Sequence, residues 1–219
     1  MSQYAIITDL NKCVGCLACV VACKTVNEVP IGKFWNNVLR VGPTQVKEGD
    51  TSNKGAEMYF MPVGCQHCAT PQCVDVCPTG ASYKLDDGRV VVDPEACIGC
   101  GLCLDACPYD ARYINDEKGV AEKCTLCSDL VDNGELPQCC TVCNARARFF
   151  GDLDEGIESF KAPGRILEYY ATYDDVHNAR VSILDATRPF TDADIHRLPD
   201  EGNGPQFAYI LRDKVWQGF

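Results

Sequence analysis

The chain has 219 residues, 17 of them cysteine, and a formal net charge of -11 at pH 7. Because proteins that bind nucleic acids present a basic face, this acidic balance excludes a polyphosphate backbone as an obvious partner. No stretch of the sequence approaches the roughly 18 consecutive apolar residues of a membrane-spanning helix, so no direct membrane span is predicted.

The cysteine content approaches the level that would suggest a disulfide scaffold in a short secreted chain. The total of 17 is odd, however, and no basic-then-apolar signal segment precedes Met1-Ser2-Gln3-Tyr4. Two features of a disulfide-stapled secreted protein are therefore missing. The sequence predicts reduced or metal-bound cysteines and no targeting signal of its own.

Short strands and short helical turns are predicted along the chain, and no long helix. Tyr4 to Thr8 and Met58 to Met61 have the composition of strands. A hairpin is predicted from Tyr83 to Val92 around Asp86-Asp87-Gly88, and a second from Arg112 to Gly119. One or two helical turns are predicted after the third cysteine of each of the early cysteine groups. The predicted fold class is α+β, with short β-hairpins, short helices and a long irregular C-terminal tail.

The cysteines form four groups, which amount to an internal repeat: Cys13 to Cys23, Cys65 to Cys77, Cys97 to Cys107 and Cys124 to Cys143. The third group reads Cys97-x2-Cys100-x2-Cys103-x3-Cys107-Pro108. This spacing matches the run of bacterial two-cluster ferredoxins, in which three cysteines hold one cubane and the fourth ligates another. Two-residue spacings let one tight loop point three thiolates at three irons. The proline then directs the chain away from the loop.

The other groups are variants of this pattern. The first is Cys13-x2-Cys16-x2-Cys19-x3-Cys23, and the second is Cys65-x2-Cys68-x4-Cys73-x3-Cys77-Pro78. The fourth, Cys124-x2-Cys127-x11-Cys139-x3-Cys143, is the loosest, and Cys140 offers a competing choice of ligand. Because the x3 spacing to Cys143 repeats the other groups, we expect Cys139 to be the ligand and Cys140 the extra thiol.

Paired zinc sites are the alternative use of Cys-x2-Cys pairs. Zinc needs four ligands but no recurring run of four cysteines followed by proline, whereas pairs of cubanes need that run. The spacing therefore favours iron-sulfur clusters. Gly99 and Gly101 lie in a cysteine loop, where they are expected to allow tight turning around a cubane. His67 is expected either to tune its cluster or to be an ordinary loop residue.

With these motifs, the sequence resembles the four-cluster iron-sulfur subunits of the dimethyl sulfoxide reductase family of molybdenum or tungsten enzymes. The resemblance covers roughly residues 5 to 155. It rests on segments around the cysteines: Asp9 to Cys16, Pro62 to Cys68, Cys77 to Ala81, Cys107 to Arg112, Lys123 to Cys127 and Arg148 to Leu153. One departure is Asn144, where the family usually has proline after the last cysteine.

The resemblance implies four 4Fe-4S clusters and no catalytic residue in this chain. It implies four ligand sets: Cys13, Cys16, Cys19 with Cys143; Cys124, Cys127, Cys139 with Cys23; Cys65, Cys68, Cys73 with Cys107; and Cys97, Cys100, Cys103 with Cys77. Two ferredoxin-like double-cluster modules result. They comprise residues 1–23 plus 108–152, from groups one and four, and residues 58–107, from groups two and three. Residues 24–57 are then an insertion, and residues 153–219 are the C-terminal tail.

By the same resemblance, the chain passes single electrons to or from the molybdopterin cofactor of a molybdenum or tungsten bis-pterin catalytic subunit. A membrane anchor subunit or a soluble electron donor would be a further partner. The expected location is the cytoplasm, or outside the cytoplasmic membrane by co-export with a signal-bearing catalytic subunit, with membrane association through a partner. The tail is expected either to wrap the chain's own cluster modules or to grip a partner.

Two other functions fit the cysteine pattern. A free-standing polyferredoxin or a hydrogenase-type subunit would also conduct electrons, although the insertion and the tail add more surface than a diffusible carrier needs. An iron-sulfur redox sensor is a third reading. Four complete cysteine sets and no recognisable output domain count against a sensor.

Overall fold

The computed structural model describes residues 2–45, 56–167, 190–212 and 214–217. Residues 46–55 of the predicted insertion and residues 168–189 of the predicted tail therefore lie outside the described residues. Within the described parts the strands are short and the helices are few. The helices are α1 (Ala18–Val26), α2 (Gln72–Asp75), α3 (Leu102–Asp105), α4 (Ser128–Asp132) and α5 (Gln138–Thr141).

The strands form one larger sheet and three two-stranded ribbons. In chain order they are β1 (Tyr4–Asp9), β2 (Asn36–Gln45), β3 (Ala56–Gly64), β4 (Ser82–Lys84), β5 (Val90–Val92), β6 (Tyr113–Asn115), β7 (Val120–Glu122), β8 (Arg148–Asp152), β9 (Lys161–Ala162), β10 (Arg165–Ile166), β11 (Ile195–His196) and β12 (Ala208–Ile210). The larger sheet has the order β10-β9-β8-β1-β12-β11. The ribbons are β2-β3, β4-β5 and β6-β7.

Strand β1 lies inside the larger sheet and joins segments far apart in the chain. It pairs antiparallel with β8, where Ile6 lies opposite Phe150, and parallel with β12, where Ile7 lies opposite Ala208. Ala5, Ile6 and Ile7 are all buried. A strand covered on both faces has a continuous apolar run instead of an alternating one, which accounts for the sequence of β1. An ion pair continues this link, because Arg212 Nη2 lies 2.8 Å from the buried Asp9 Oδ2.

Helix α1 positions two cysteines of the first group. Leu17 immediately before it is left-handed, with φ 62°, and the helix then runs to Val26. Cys19 and Cys23 are four residues apart, so they lie on one face of α1, and both are buried. The helix therefore presents its two cysteines to the interior.

Most of the local predictions are confirmed. Strands β1 and β3, the β4-β5 hairpin and the β6-β7 hairpin lie where the sequence predicts them, and helices α1, α2 and α3 contain or follow the third cysteine of their groups. The sequence analysis did not predict the larger sheet. Its strands β9, β10, β11 and β12 come from the region after residue 153, where composition predicts an irregular path.

Candidate metal centres

The first three cysteines of the first group lie on a loop that turns their thiols toward one cavity. Gly15 adopts φ 67°, a left-handed conformation. With Leu17, it bends the backbone between successive cysteines. The cavity is lined by Cys13, Cys16, Cys19 and Cys143. These are the members of the first set that the family resemblance implies, and they come from opposite ends of the cysteine region.

Two further cavities are each lined by four cysteines. One is lined by Cys23, Cys124, Cys127 and Cys139. The other is lined by Cys77, Cys97, Cys100 and Cys103. In both, three cysteines belong to one group and the fourth comes from another, as in the first cavity. The structure therefore brings together the cysteines of three implied sets, and their binding of clusters stays a prediction.

The remaining four predicted ligands also face one another. Burial raises the pKa of the Cys68 thiol to about 12, and repulsion from Cys65, Cys73 and Cys107 adds to this effect. Burial likewise raises the pKa of Cys73, which Cys65 and Cys107 also repel. Four thiols at one place oppose ionisation of one another unless cations or metal compensate their charge.

The spacing of these side chains differs from that of a single-ion site. Within the described parts of the chain, no three or more His, Cys, Asp or Glu side chains are close enough to share one metal ion. A tetrahedral zinc site would hold four such ligands at about 2.0–2.3 Å from one centre.

Burial and mutual repulsion oppose ionisation of thiols that line the second cavity. Burial, with repulsion from Cys139 and Cys127, raises the pKa of Cys23 to about 12. Burial raises the pKa of Cys124 well above its ordinary value, and Cys23 and Cys65 repel it as well. Cys65 belongs to a different implied set, so this interaction places the second and third sets next to each other.

Backbone N–H groups around the cavities donate to cysteine sulfurs. The donors are Ser82 to Cys77 (3.4 Å), Ala121 to Cys97 (3.4 Å), Leu126 to Cys124 (3.4 Å) and Ala147 to Cys143 (3.2 Å). Ser82 begins β4, Ala121 lies within β7, and Ala147 directly precedes β8. Hydrogen bonds to sulfur ligands are one way in which a protein adjusts the reduction potential of a cluster. These cavities are therefore built to hold negatively charged sulfur.

His67 is fully buried between Cys65 and Cys68. Its Nδ1 accepts a hydrogen bond from the Val90 N–H (3.0 Å), and its ring stacks on Phe207 with 5.7 Å between centroids. Burial lowers the pKa of His67, which favours the neutral ring. Since Nδ1 is the acceptor, the proton of the neutral ring lies on Nε2. His67 is thus oriented by its contacts and does not lie free in the loop.

The structure distinguishes Cys139 from Cys140. The second cavity is lined by Cys139 and not by Cys140, and both residues are buried in α5. The interaction between these two adjacent, buried thiols lowers the pKa of Cys139 and raises that of Cys140. Cys139 is therefore the more readily ionised of the two.

The sequence analysis missed two asparagines that contact predicted ligands. Asn203 Nδ2 donates to Cys68 Sγ at 3.0 Å, and Asn27 Nδ2 lies 3.7 Å from the sulfurs of both Cys23 and Cys127. Asn203 is separated from Cys68 by 135 residues, so no local pattern could have found it. Asn27 directly follows α1 and lies four residues, or about one helical turn, after Cys23. This spacing is visible in the sequence and could have indicated the contact.

The glycines of the third loop provide a matched test of how tightly it turns. Both have positive φ, but a Cβ at Gly99 would lie 2.3 Å from the Gly119 carbonyl oxygen, whereas a Cβ at Gly101 meets nothing within 4 Å. We expect Gly101→Ala to cost about 1–2 kcal/mol, the usual cost of a left-handed alanine. Gly99→Ala must also displace the β6-β7 turn. It should therefore lower the thermal midpoint further, and also the iron content, as measured by circular dichroism and elemental analysis. Equal effects of the two substitutions would contradict the close approach.

Two of the cysteine loops reach the surface. Cys16 and Cys100 are the exposed members of their groups. Apolar side chains beside them are also exposed: Val14 and Leu17 next to Cys16, and Ile98 and Leu102 next to Cys100. Apolar side chains exposed together in this way are typical of surfaces that contact another protein.

Sequence comparison identifies relatives over most of the chain. A family described as 4Fe-4S dicluster domain matches residues 56–153, and a second family of the same description matches residues 12–81. A protein of Halobacterium salinarum that is provisionally assigned as an iron-sulfur subunit of dimethyl sulfoxide reductase is 41% identical over 197 residues, which cover 80% of this chain and 73% of the relative.

Two bacterial relatives have similar coverage. The thiosulfate reductase electron transfer subunit of Salmonella typhi is 45% identical over 155 residues, covering 70% of this chain and 78% of the relative. One polypeptide of the anaerobic dimethyl sulfoxide reductase of Escherichia coli is 38% identical over 155 residues, covering 70% of this chain and 76% of the relative.

Among the described residues, no helix has both the length and the apolar character to cross a membrane.

Proposed function

Because this protein belongs to the iron-sulfur electron-transfer subunits of the dimethyl sulfoxide reductase family of molybdopterin oxidoreductases, we propose that it carries four 4Fe-4S clusters. Through them it relays single electrons to or from the molybdopterin cofactor of a separate catalytic subunit. The observation that carries this proposal is the grouping of cysteines from distant parts of the chain around shared cavities. The chain's role is electron transfer and not catalysis.

The proposed ligands are the sixteen cysteines other than Cys140, in the four sets that the family resemblance implies. Three cysteine-lined cavities and the mutual repulsion of Cys65, Cys68, Cys73 and Cys107 support these sets. The cavity that is lined by Cys139 and not by Cys140 supports the choice of Cys139. The pairing also supports two modules, residues 1–23 plus 108–152 and residues 58–107, because the fourth ligand of each set comes from the other group of the same module.

A bound 4Fe-4S cluster supplies reversible one-electron chemistry. The residues of this chain hold the sulfur ligands in place and limit the access of water. Cys19, Cys23 and Cys139 are buried, and so are the ring of His67 and the side chain of Leu126 that pack near the cysteine loops. Backbone N–H groups and Asn203 donate to the ligand sulfurs and stabilise their negative charge.

The proposed order of the clusters follows from which cysteines face one another. Cys65 and Cys124 interact across the two modules, so their clusters would be the inner pair. The sets that contain the exposed Cys16 and Cys100 are then the outer pair. We place the entry and exit of electrons at these outer sets. The apolar side chains around them would contact the catalytic subunit at one end, and a membrane anchor subunit or a soluble donor at the other.

Membrane association is proposed to occur through such a partner. Partner contact by the tail, residues 153–219, stays a prediction. Described residues of the tail also contact the chain's own modules, since β12 pairs with β1 and Asn203 contacts Cys68. Residues 168–189 lie outside the described parts of the chain, and the proposal for them rests on composition.

Metal analysis of the native complex tests this function. The protein would be purified anaerobically from its own host, and mass spectrometry would measure iron, zinc, molybdenum and tungsten per polypeptide. We expect about sixteen irons with near one molybdenum or tungsten. About sixteen irons without either metal would favour the polyferredoxin or hydrogenase-type reading. Zinc in place of iron would contradict electron transfer altogether.

A further inference from the structure

Three cations are buried among the cysteine groups. Arg112, Lys123 and Arg148 are 5%, 2% and 4% exposed. Within the described parts of the chain, none of them has a carboxylate within ion-pair distance. A buried charge needs a partner of opposite sign, because the cost of removing it from water is several kcal/mol. The two arginines lie beside cysteine sulfurs, and Lys123 donates to two backbone carbonyl oxygens, one of them that of Cys124.

Arg112 joins the second and third cysteine groups. Its Nη2 donates to Cys73 Sγ at 2.9 Å and to Ser82 Oγ at 2.8 Å. The backbone N–H of Ser82 donates to Cys77 Sγ at 3.4 Å. Cys73 and Cys77 belong to different proposed ligand sets. The guanidinium therefore lies between the two ligand sets of one module.

Arg148 has the same position in the other module. It follows Cys143 by five residues, as Arg112 follows Cys107 by five. Arg148 lines both the cavity of Cys13, Cys16, Cys19 and Cys143 and the cavity of Cys23, Cys124, Cys127 and Cys139.

A hydrogen bond fixes the position of Arg148. Its Nη1 donates to Asn36 Oδ1 at 2.9 Å. In both modules, the arginine thus lies beside two proposed ligand sets. Arg112 contacts Cys73 and, through Ser82, is linked to Cys77, whereas Arg148 lines both cysteine cavities of its module.

Lys123 lies where the two modules meet. Its Nζ donates to the Cys124 carbonyl oxygen at 2.8 Å and to the Val90 carbonyl oxygen. Cys124 belongs to one module, and Val90 is in the hairpin of the other. The Val90 N–H in turn donates to Nδ1 of His67, which lies between Cys65 and Cys68. Lys123 therefore lies between the two inner sets, those of Cys65 and Cys124.

We propose that Arg112, Lys123 and Arg148 form a row of cations, one at each of the three junctions between neighbouring clusters, that raises the reduction potentials of both clusters at its junction. The proposal rests on the proposed function. Each one-electron reduction adds one negative charge to a cluster site, and a cation in a poorly solvated interior stabilises that charge. A cation shared by two clusters stabilises an electron on either of them. When an electron moves from one of these two clusters to the other, this stabilisation therefore changes little.

Single charge removals test the row. Arg112→Gln, Lys123→Gln and Arg148→Gln would be prepared in the intact complex and titrated with dithionite while the cluster signals are followed by electron paramagnetic resonance. Each variant should lower two of the four midpoint potentials by at least about 59 mV, a tenfold change in a one-electron equilibrium. Because the junctions are consecutive, the Lys123 variant should share one lowered potential with each arginine variant.

A surface substitution is the control. Lys161→Gln removes one exposed positive charge from β9 and should leave all four potentials unchanged. If the three variants keep about sixteen irons and shift no potential, one potential, or all four equally, the row is wrong while the proposed function stands. An unmodified complex without iron would instead contradict the proposed function.

Loss of iron from the glutamine variants has its own test. Arg112→Lys and Arg148→Lys keep the positive charge but lose the planar guanidinium. If these lysine variants retain iron and their midpoint potentials shift by less than the about 59 mV expected for removal of the charge, the role of charge is supported. If they also lose iron, the arginines act in assembly and not on potential, which overturns the proposal.

Discussion

Chelation of the iron under anaerobic, reducing conditions is expected to unfold most of this chain. Sixteen of its 17 cysteines are proposed ligands, and two of them, Cys19 and Cys139, lie in the hydrophobic core itself. The loops that carry them contain non-glycine residues with positive φ: Leu17, His67, Leu126 and Cys127. Each left-handed residue of this kind costs about 1–2 kcal/mol. Domains of ordinary stability have only about 5–15 kcal/mol in total, so the loops depend on ligation.

Far-UV circular dichroism and amide hydrogen exchange would measure this collapse. We expect protection to be lost first in the cysteine loops. It should persist longest in β1, β8 and β12, which carry no proposed ligand and whose side chains Ile6, Phe149 and Ile210 are buried in the core. Reconstitution with iron and sulfide should restore the native spectrum. An iron-free chain that keeps a cooperative unfolding transition and protected cysteine loops would contradict the dependence on ligation.

Replacing Cys139 by serine should remove one whole cluster, whereas replacing its neighbour Cys140 should remove none. Cys139 lines the cavity with Cys23, Cys124 and Cys127, whereas Cys140 does not line it. We expect about twelve irons per chain in Cys139→Ser and about sixteen in Cys140→Ser, since each cubane has four irons. Iron analysis and electron paramagnetic resonance would measure the difference.

The two substitutions are matched controls for each other. Both cysteines are buried in α5, and both substitutions replace a sulfur atom by oxygen at adjacent positions. A loss of fold should therefore affect them similarly, whereas a loss of ligation should not. The reverse result, with fewer irons in Cys140→Ser alone, would assign Cys140 as the ligand. The prediction of Cys139 from the x3 spacing to Cys143 would then be wrong.

Local features of the structure follow from local sequence. The helical turns after Cys19, Cys73 and Cys103 and the hairpins around Gly88 and Gly119 were predictable, because short spacings and turn residues limit the backbone to few conformations. The cysteine spacing also indicated iron-sulfur chemistry, since it reflects how a loop surrounds a cubane. These features depend on residues that lie within a few positions of one another.

The tertiary structure alone decided which distant residues meet. Strand β1 pairs with β12 across about 200 residues, Asn203 reaches Cys68, and Arg148 lies between two cavities. None of these contacts leaves a periodic pattern in the sequence, because each is made between single side chains or short strands brought together by packing. The sequence by itself thus determined the number, spacing and chemistry of the sulfur groups. Folding determined how they are ordered, which cations separate them and which of them reach the surface.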